Sequence, residues 1–272
     1  MMIKGGIRIG GLGISGYDAD AVAYFERAGV TDATAKGQIN AFVKGIKDLS
    51  LYDSMISWPL RSAQNSGSGT TAYSLGGYGT FNGTLTNGPT WGTSGIVFNN
   101  TNQLIDVTYS SPLLSVLSSY AVFLSTSTAF VQFHLQFENG TAAGTYLNHR
   151  FDGTADFGTS GVHGVTTRNT TNTNPNQSQS RTLNLTTFQS SGYCVASTSD
   201  TVYQDGAVAV SGSQTGLPTR NPAGTPFFRI AANSSARTHA FQAVFTSTLT
   251  NTQNSQLNTL YKTTLGDGLG LP

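Results

Sequence analysis

The 272 residues carry a net charge of +1 and a charged fraction of 10 %, against about 25 % in an ordinary globular chain. A near-neutral surface offers no long-range attraction to nucleic acid or an anionic membrane, so neither is expected as a partner. The hydrophobic content of 38 % is ample for a core, and the length suits one sandwich of roughly 200 residues behind a smaller N-terminal unit.

Residues 1–16 form a Gly-rich arm with Ile3, Ile7, Ile9, Leu12 and Ile14. It is too broken by glycine to build a core and too apolar for a solvated tail. It is expected to attach the chain to another subunit; the other reading folds it onto its own domain. Glycine and arginine interrupt it before an apolar stretch of about 7–15 residues can form, so no secretory signal is predicted and synthesis in a cytoplasm is expected. No stretch approaches the roughly 18 apolar residues of a membrane-spanning helix.

Residues 17–56 read as a helical hairpin. Asp18 can cap a first helix through Ala28, with Val22 and Phe25 on one face and Gly29 as its stop. Thr31 is the expected cap of a second helix, whose Ile39, Phe42, Val43, Ile46 and Leu49 recur at amphipathic spacing. Such a hairpin cannot bury its stripe alone, so it must pack on the sandwich or on a neighbour.

From Ile56 to Phe245 short β-branched and aromatic runs alternate with Gly, Asn, Ser and Pro, the pattern of an antiparallel all-β domain, and residues 57–272 are expected to form the sandwich with a short C-terminal helix. The clearest runs are 96–99, 104–109, 120–125, 130–137, 181–188, 193–197, 201–204, 207–210, 227–231 and 239–245. Asp205-Gly206 between two apolar runs predicts a two-residue hairpin with positive φ at both positions. Residues 166–180 are rich in Thr, Asn, Gln and Ser and are expected to be a long polar loop. Cys194, the single cysteine, sits in an apolar run and reads as a small core residue.

The order of several runs resembles the laminin-G-like and concanavalin-like jelly rolls. Trp58-Pro59-Leu60 is similar to their opening strand, and Gly95–Val107 to the segment where "F-D-G-x-x-x-y-l-x-V" is typical, with Asn99 and Asn100 in place of Asp and Gly. Tyr120–Ser125 is similar to the core strand that follows. Thr201–Val208 matches "v-Y-x-D/N-G-x-x-V", and Phe227–Ala231 resembles the next strand. His239–Phe245 with Leu249–Tyr261 resembles the last strand and a short "L-t-x-x-E-x-x-x-l-Y" helix, here without its acidic residue. The resemblance implies a mainly β fold, an antiparallel jelly-roll sandwich preceded by the hairpin and arm. Separately, Asp18–Leu60 resembles the front of bacteriophage structural proteins that carry this domain. That implies a non-enzymatic virion protein (head decoration, head fibre or tail-associated), localised to the particle and contacting capsid or tail subunits. Self-association in a symmetric assembly is a further expected partnership. The alternative is a glycan-binding receptor module of a phage tail, with a host glycan as partner; a glycan-degrading enzyme stands third.

Chemistry is sparse. Retaining glycosidases need two carboxyls about 5–5.5 Å apart, yet the only glutamates are Glu26 and Glu138, the latter with no carboxylate within ten residues on either side. The four histidines, His134, His149, His163 and His239, lack ligand spacing. No catalytic residue and no cofactor are therefore expected. Asp152 and Asp156 are a calcium candidate at a loop rim. Tyr73, Tyr78 and Trp91, with Phe81, either offer ring faces to a sugar or serve as partly buried core. His149 and Arg150 either touch an anionic sugar or end a strand.

Overall fold

In a computed structural model the chain describes residues 16–99, 102–108, 117–125, 132–138, 146–152, 162–168, 176–182, 186–195, 199–213, 227–231 and 237–272. The N-terminal hairpin forms as its caps dictate. The Asp18 carboxylate accepts the Asp20 N–H at the start of α1 (Ala19–Ala28), and Gly29, at φ 66°, ends it in the left-handed region. Helix α2 (Ala33–Asp48) starts one residue later than expected: Asp32, not Thr31, is the cap, its carboxylate accepting the Ala35 N–H at 2.7 Å. Ile39, Phe42, Val43 and Ile46 are fully buried, each contributing about 1.5–3 kcal/mol of transfer free energy.

Among the described residues sixteen strands follow. They are β1 (Met55–Pro59), β2 (Thr71–Ala72), β3 (Gly83–Thr86), β4 (Thr90–Gly92), β5 (Gly95–Phe98), β6 (Leu104–Val107), β7 (Ser118–Ser125) and β8 (Gln132–Glu138). The remainder are β9 (Tyr146–Asp152), β10 (Val162–Arg168), β11 (Asn176–Thr182), β12 (Gln189–Val195), β13 (Ser199–Gln204), β14 (Ala207–Ser213), β15 (Phe227–Ile230) and β16 (Arg237–Phe245). Two antiparallel eight-stranded sheets result. The first runs β14-β13-β12-β7-β16-β5-β4, with β1 sharing the β16 edge beside β5; the second runs β11-β10-β9-β8-β15-β6-β3-β2. The mainly β sandwich that the pattern predicts is thus present.

Two expectations fail here. The presumed loop 166–180 holds the end of β10 and the start of β11, and the run at 181–188 is not one strand, since Thr186–Phe188 lie outside any strand. Asn-Gln-Ser-Gln-Ser-Arg-Thr has little strand propensity of its own; antiparallel pairing with β10 supplies the ladder, the tertiary context that overrides local preference.

The central strands of the first sheet are buried on both faces. Toward the second sheet it contributes Ile56, Trp58, Ile96, Phe98, Tyr193, Val202 and Val244, which meet Leu85, Ile105, Val107, Phe228 and Ile230. On its other face Tyr120, Val122, Phe241, Ala243 and Phe245 pack against α1, α2 and α3 (Asn251–Thr263). Phe241 is the hub, with ring centroids 4.7 Å from Tyr261, 5.5 Å from Phe42 and 6.1 Å from Tyr120. The hairpin therefore packs on the sandwich, making helices, first sheet and second sheet three layers in sequence. Polar bolts fix it: the Tyr24 hydroxyl donates to the Gln64 carbonyl at 2.9 Å, and the Gln64 amide donates to the carbonyl of Leu265 at 2.9 Å. The missing acid of α3 is replaced functionally. Thr250 and Gln253 form a reciprocal capping box, because an amide can accept the cap N–H as a carboxylate would.

Between α3 and the sheet lies a polar knot. Asn258 Oδ1 accepts from the Tyr120 hydroxyl and from Ser190 Oγ, both at 2.7 Å. The expected hairpin turn closes beside it, with Asp205 at φ 51° and Gly206 at φ 80°. A Cβ on Gly206 would come within 2.8 Å of Asn258, so turn geometry and helix contact both require glycine there. Cys194 is buried on β12, where desolvation pushes its thiol up, as befits the core residue expected.

Candidate functional site

The helices occupy the outer face of the first sheet, and among the described residues none of the three packs on the outer face of the second. That open face can be followed strand by strand from the register. In β6, Ile105 and Val107 are buried while the Asp106 side chain is 48 % exposed. In β15, Phe228 and Ile230 are buried while Arg229 is 34 % exposed. Asp106 pairs in register with exposed Thr84 on one side and with Arg229 on the other. The row continues from Arg229 to Gln136, Asn148, Thr166 and Gln177. Residues paired in register share a face, so Thr84, Asp106 and Arg229 set a hydroxyl, a carboxylate and a guanidinium side by side over three strands, and the backbone register continues from there across β8 to β11. Arg229 Nε stands 4.0 Å from Asp106 Oδ1, an exposed ion pair worth well under about 1 kcal/mol.

The expected ligand pair lies in the same sheet. His149 and Arg150 are consecutive residues of β9. His149 pairs in register with Leu135 and Val165, Arg150 with Phe133 and Gly164. His134 falls at the register shift between Phe133 and Leu135.

The aromatic set is separated. Tyr73 packs against the helical core, whereas Tyr78, Phe81 and Trp91 pack against the core between the sheets. Their polar neighbours are internal: Trp91 Nε1 donates to the Gly69 carbonyl at 3.0 Å, and the Phe81 carbonyl accepts from Trp58 Nε1 at 2.8 Å. Of the calcium candidate, Asp152 ends β9 and Asp156 lies outside the described residues. Among the described residues no three His, Cys, Asp or Glu gather in a metal-holding group. Ile3, Ile7, Ile9, Leu12 and Ile14 also lie outside them. The described chain begins at Gly16, whose carbonyl accepts from Lys44 Nζ at 2.8 Å.

Two depressions mark the helical layer. One, of about 420 Å³, is lined by Asp20, Lys47, Ser50, Tyr52 and Asp53. Its Lys47 is held by Asp18 at 2.7 Å and by Asp20, and lies 4.9 Å from the Tyr52 ring centre. Burial alone would raise the Asp18 carboxyl, but the Lys47 hydrogen bond and the Asp20 N–H outweigh it and leave it lowered. This is a tie between the start of α1 and the end of α2. The other, of about 400 Å³, runs between α2 and α3 over Leu49, Leu260 and a rim of Ser, Gln and Thr.

Neither Asp106 nor Arg229 is a ligand-site candidate in the sequence reading. Their signal was the alternation in Leu-Ile-Asp-Val and Phe-Phe-Arg-Ile, where one polar residue interrupts each apolar run. Which polar residues become neighbours is set by register, which no single run displays.

No protein-family model matches the chain, and no curated protein matches it. Solved structures do. A Trypanosoma rangeli sialidase in complex with 2,3-difluoro-KDN is similar over 85 % of this chain and 39 % of its own, at TM-score 0.56 and 12 % identity. The same sialidase with 2,3-difluorosialic acid as a covalent intermediate is similar over 78 % of this chain and 33 % of its own, at TM-score 0.53 and 13 % identity. The Ruminococcus gnavus IT-sialidase CBM40 bound to alpha2,3 sialyllactose is similar over 60 % of this chain and 95 % of its own, but at TM-score 0.48 and 10 % identity it carries no argument. This chain thus spans between a third and two fifths of the sialidases, and at such identities the likeness is one of fold: a sheet-rich sandwich.

Proposed function

We propose that the chain is a non-catalytic glycan-binding sandwich that engages its ligand across the outer face of the second sheet. The observation that carries this reading is the Thr84–Asp106–Arg229 row on the face that the three helices leave free. Hydroxyl and single charged groups side by side match a neutral or weakly charged, hydroxyl-rich ligand, which offers many modest hydrogen bonds and little net charge. The low charge of the chain supports the same partner class. Further support comes from fold likeness to sialidase chains solved with sialic-acid analogues. The test is a glycan array probed with the full chain, followed by Arg229→Ala and Asp106→Ala. Binding that both substitutions weaken supports the reading; silence across host polysaccharides, or binding indifferent to both, overturns it.

A second reading, display on a bacteriophage particle, is supported by the order of arm, hairpin and sandwich. A chain lacking residues 1–16 that still enters particles would remove the attachment role from Ile3, Ile7, Ile9, Leu12 and Ile14. The two readings are compatible, since a glycan-binding face suits a host-facing virion component.

A further inference from the structure

We propose that Asp106 selects the ligand of the open face: a neutral sugar bearing a vicinal diol is taken, and acidic sugars are turned away. The inference rests on the glycan reading and narrows its ligand class. Strands β2, β3, β6 and β15 set Thr71, Thr84, Asp106 and Arg229 in one cross-strand row. Residues two apart in a strand share a face, which adds Thr86 and Leu104, themselves paired in register, to the same surface. All six are partly or fully exposed. Along these four strands Asp106 and Arg229 are the charged residues, so a single carboxylate and a single guanidinium stand among hydroxyls.

A carboxylate accepts hydrogen bonds and donates none, so Asp106 asks its ligand for donors. Arg229 Nε stands 4.0 Å from Asp106 Oδ1, beyond hydrogen-bond reach. Their attraction is therefore coulombic and occupies neither carboxylate oxygen as an acceptor. Two hydroxyls on neighbouring ring carbons can donate one bond to each oxygen, a two-pronged, charge-assisted match. Thr84 beside Asp106 both donates and accepts, and can meet the next hydroxyl. Leu104 offers an apolar spot to the C–H side of the ring. A sugar carboxylate finds no such match. To reach Arg229 it must come within a few ångströms of Asp106, where like charges repel. One residue thus supplies both the attractive element for diols and the repulsive element against acids, and specificity needs both. The likeness to sialidase chains is one of fold and leaves this choice to the local groups.

The experiment is an array of neutral polysaccharides (dextran, mannan and galactan among them) and polyuronates (alginate and pectate), probed with the full chain. Each neutral member is printed intact and again after periodate oxidation and borohydride reduction. That treatment breaks the carbon–carbon bond of vicinal diols and adds no charge. Wild type should prefer neutral members to polyuronates, and oxidation should weaken its binding at least about tenfold. Asp106→Asn keeps the shape and removes the charge. It should lose at least about tenfold on the neutral members and gain on the polyuronates. Binding undiminished by oxidation, a wild-type preference for polyuronates, or a variant with the wild-type order overturns the selection and leaves the glycan reading in place. Silence of the wild type across the whole array overturns both. The oxidation arm uses the unaltered chain, so a folding defect in the variant would not obscure the outcome.

Discussion

The two sheets of this protein bury their strands by opposite arrangements. In the first, β7 and β16 are buried on both faces, and all but Leu124 of the former and Thr238 of the latter are inaccessible. In the second, β6 and β3 alternate buried with accessible residues. The first sheet is the middle layer of three and its chemistry is consumed by packing; the second has one face left over. The lesson is that a sandwich carrying a helical layer has a single broad sheet face available for recognition, and the helices decide which.

Substitutions can break this contrast. The largest effect is expected at the hub of the helical face. Phe241→Ala removes a ring wedged among Phe42, Tyr120 and Tyr261 and should cost about 3–5 kcal/mol in chemical denaturation. Asn258→Ala strands the buried hydroxyls of Tyr120 and Ser190 and should cost about 2–3 kcal/mol in the same measurement. A smaller loss, about 1 kcal/mol, is expected from Thr250→Ala, which opens the capping box of α3. On the open face Arg229→Ala should change stability by less than about 0.5 kcal/mol while weakening glycan capture. A large loss of stability there would mean that the second sheet is covered too.

Acid sharpens the comparison from another side. Asp18 titrates below its ordinary value of 3.8 in the folded chain because Lys47 and the Asp20 N–H favour its charged form. A lowered carboxylate contributes stability above the unfolded value and loses it as pH falls through the folded one. Urea midpoints taken below about pH 4 should therefore fall, and Lys47→Met should flatten the fall. An equally steep loss in that variant would assign the acid sensitivity elsewhere.

Much of the fold was legible because its signals were local. Asp18 and Gly29 bracket α1, the stripe of α2 repeats within one helix, and Asp205-Gly206 dictates its own turn. The cap of α2 was misplaced by one residue because Thr31 and Asp32 carry equivalent acceptors and only backbone geometry chooses between them. Strands β9 to β11 went largely unread because their ladders come from neighbours rather than from apolar side chains. The site was least legible. Tyr73 and Tyr78, five residues apart, serve different cores. Asp106 and Arg229 are distant in the chain and adjacent in the sheet.

The bolt between Gln64 and Leu265 has a consequence for how the molecule is made. A ribosome delivers the hairpin ahead of the sandwich, yet two of the surfaces that bury its stripe, β16 and α3, emerge about 190 residues or more later, many seconds into translation. Until then Ile39, Phe42, Val43 and Ile46 have only part of their native surface to pack on. Contacts closed over such sequence distances are also slow to form. The nascent chain is therefore a substrate for chaperones that shield exposed apolar helices, and a chain truncated before residue 237 should be recovered as aggregate.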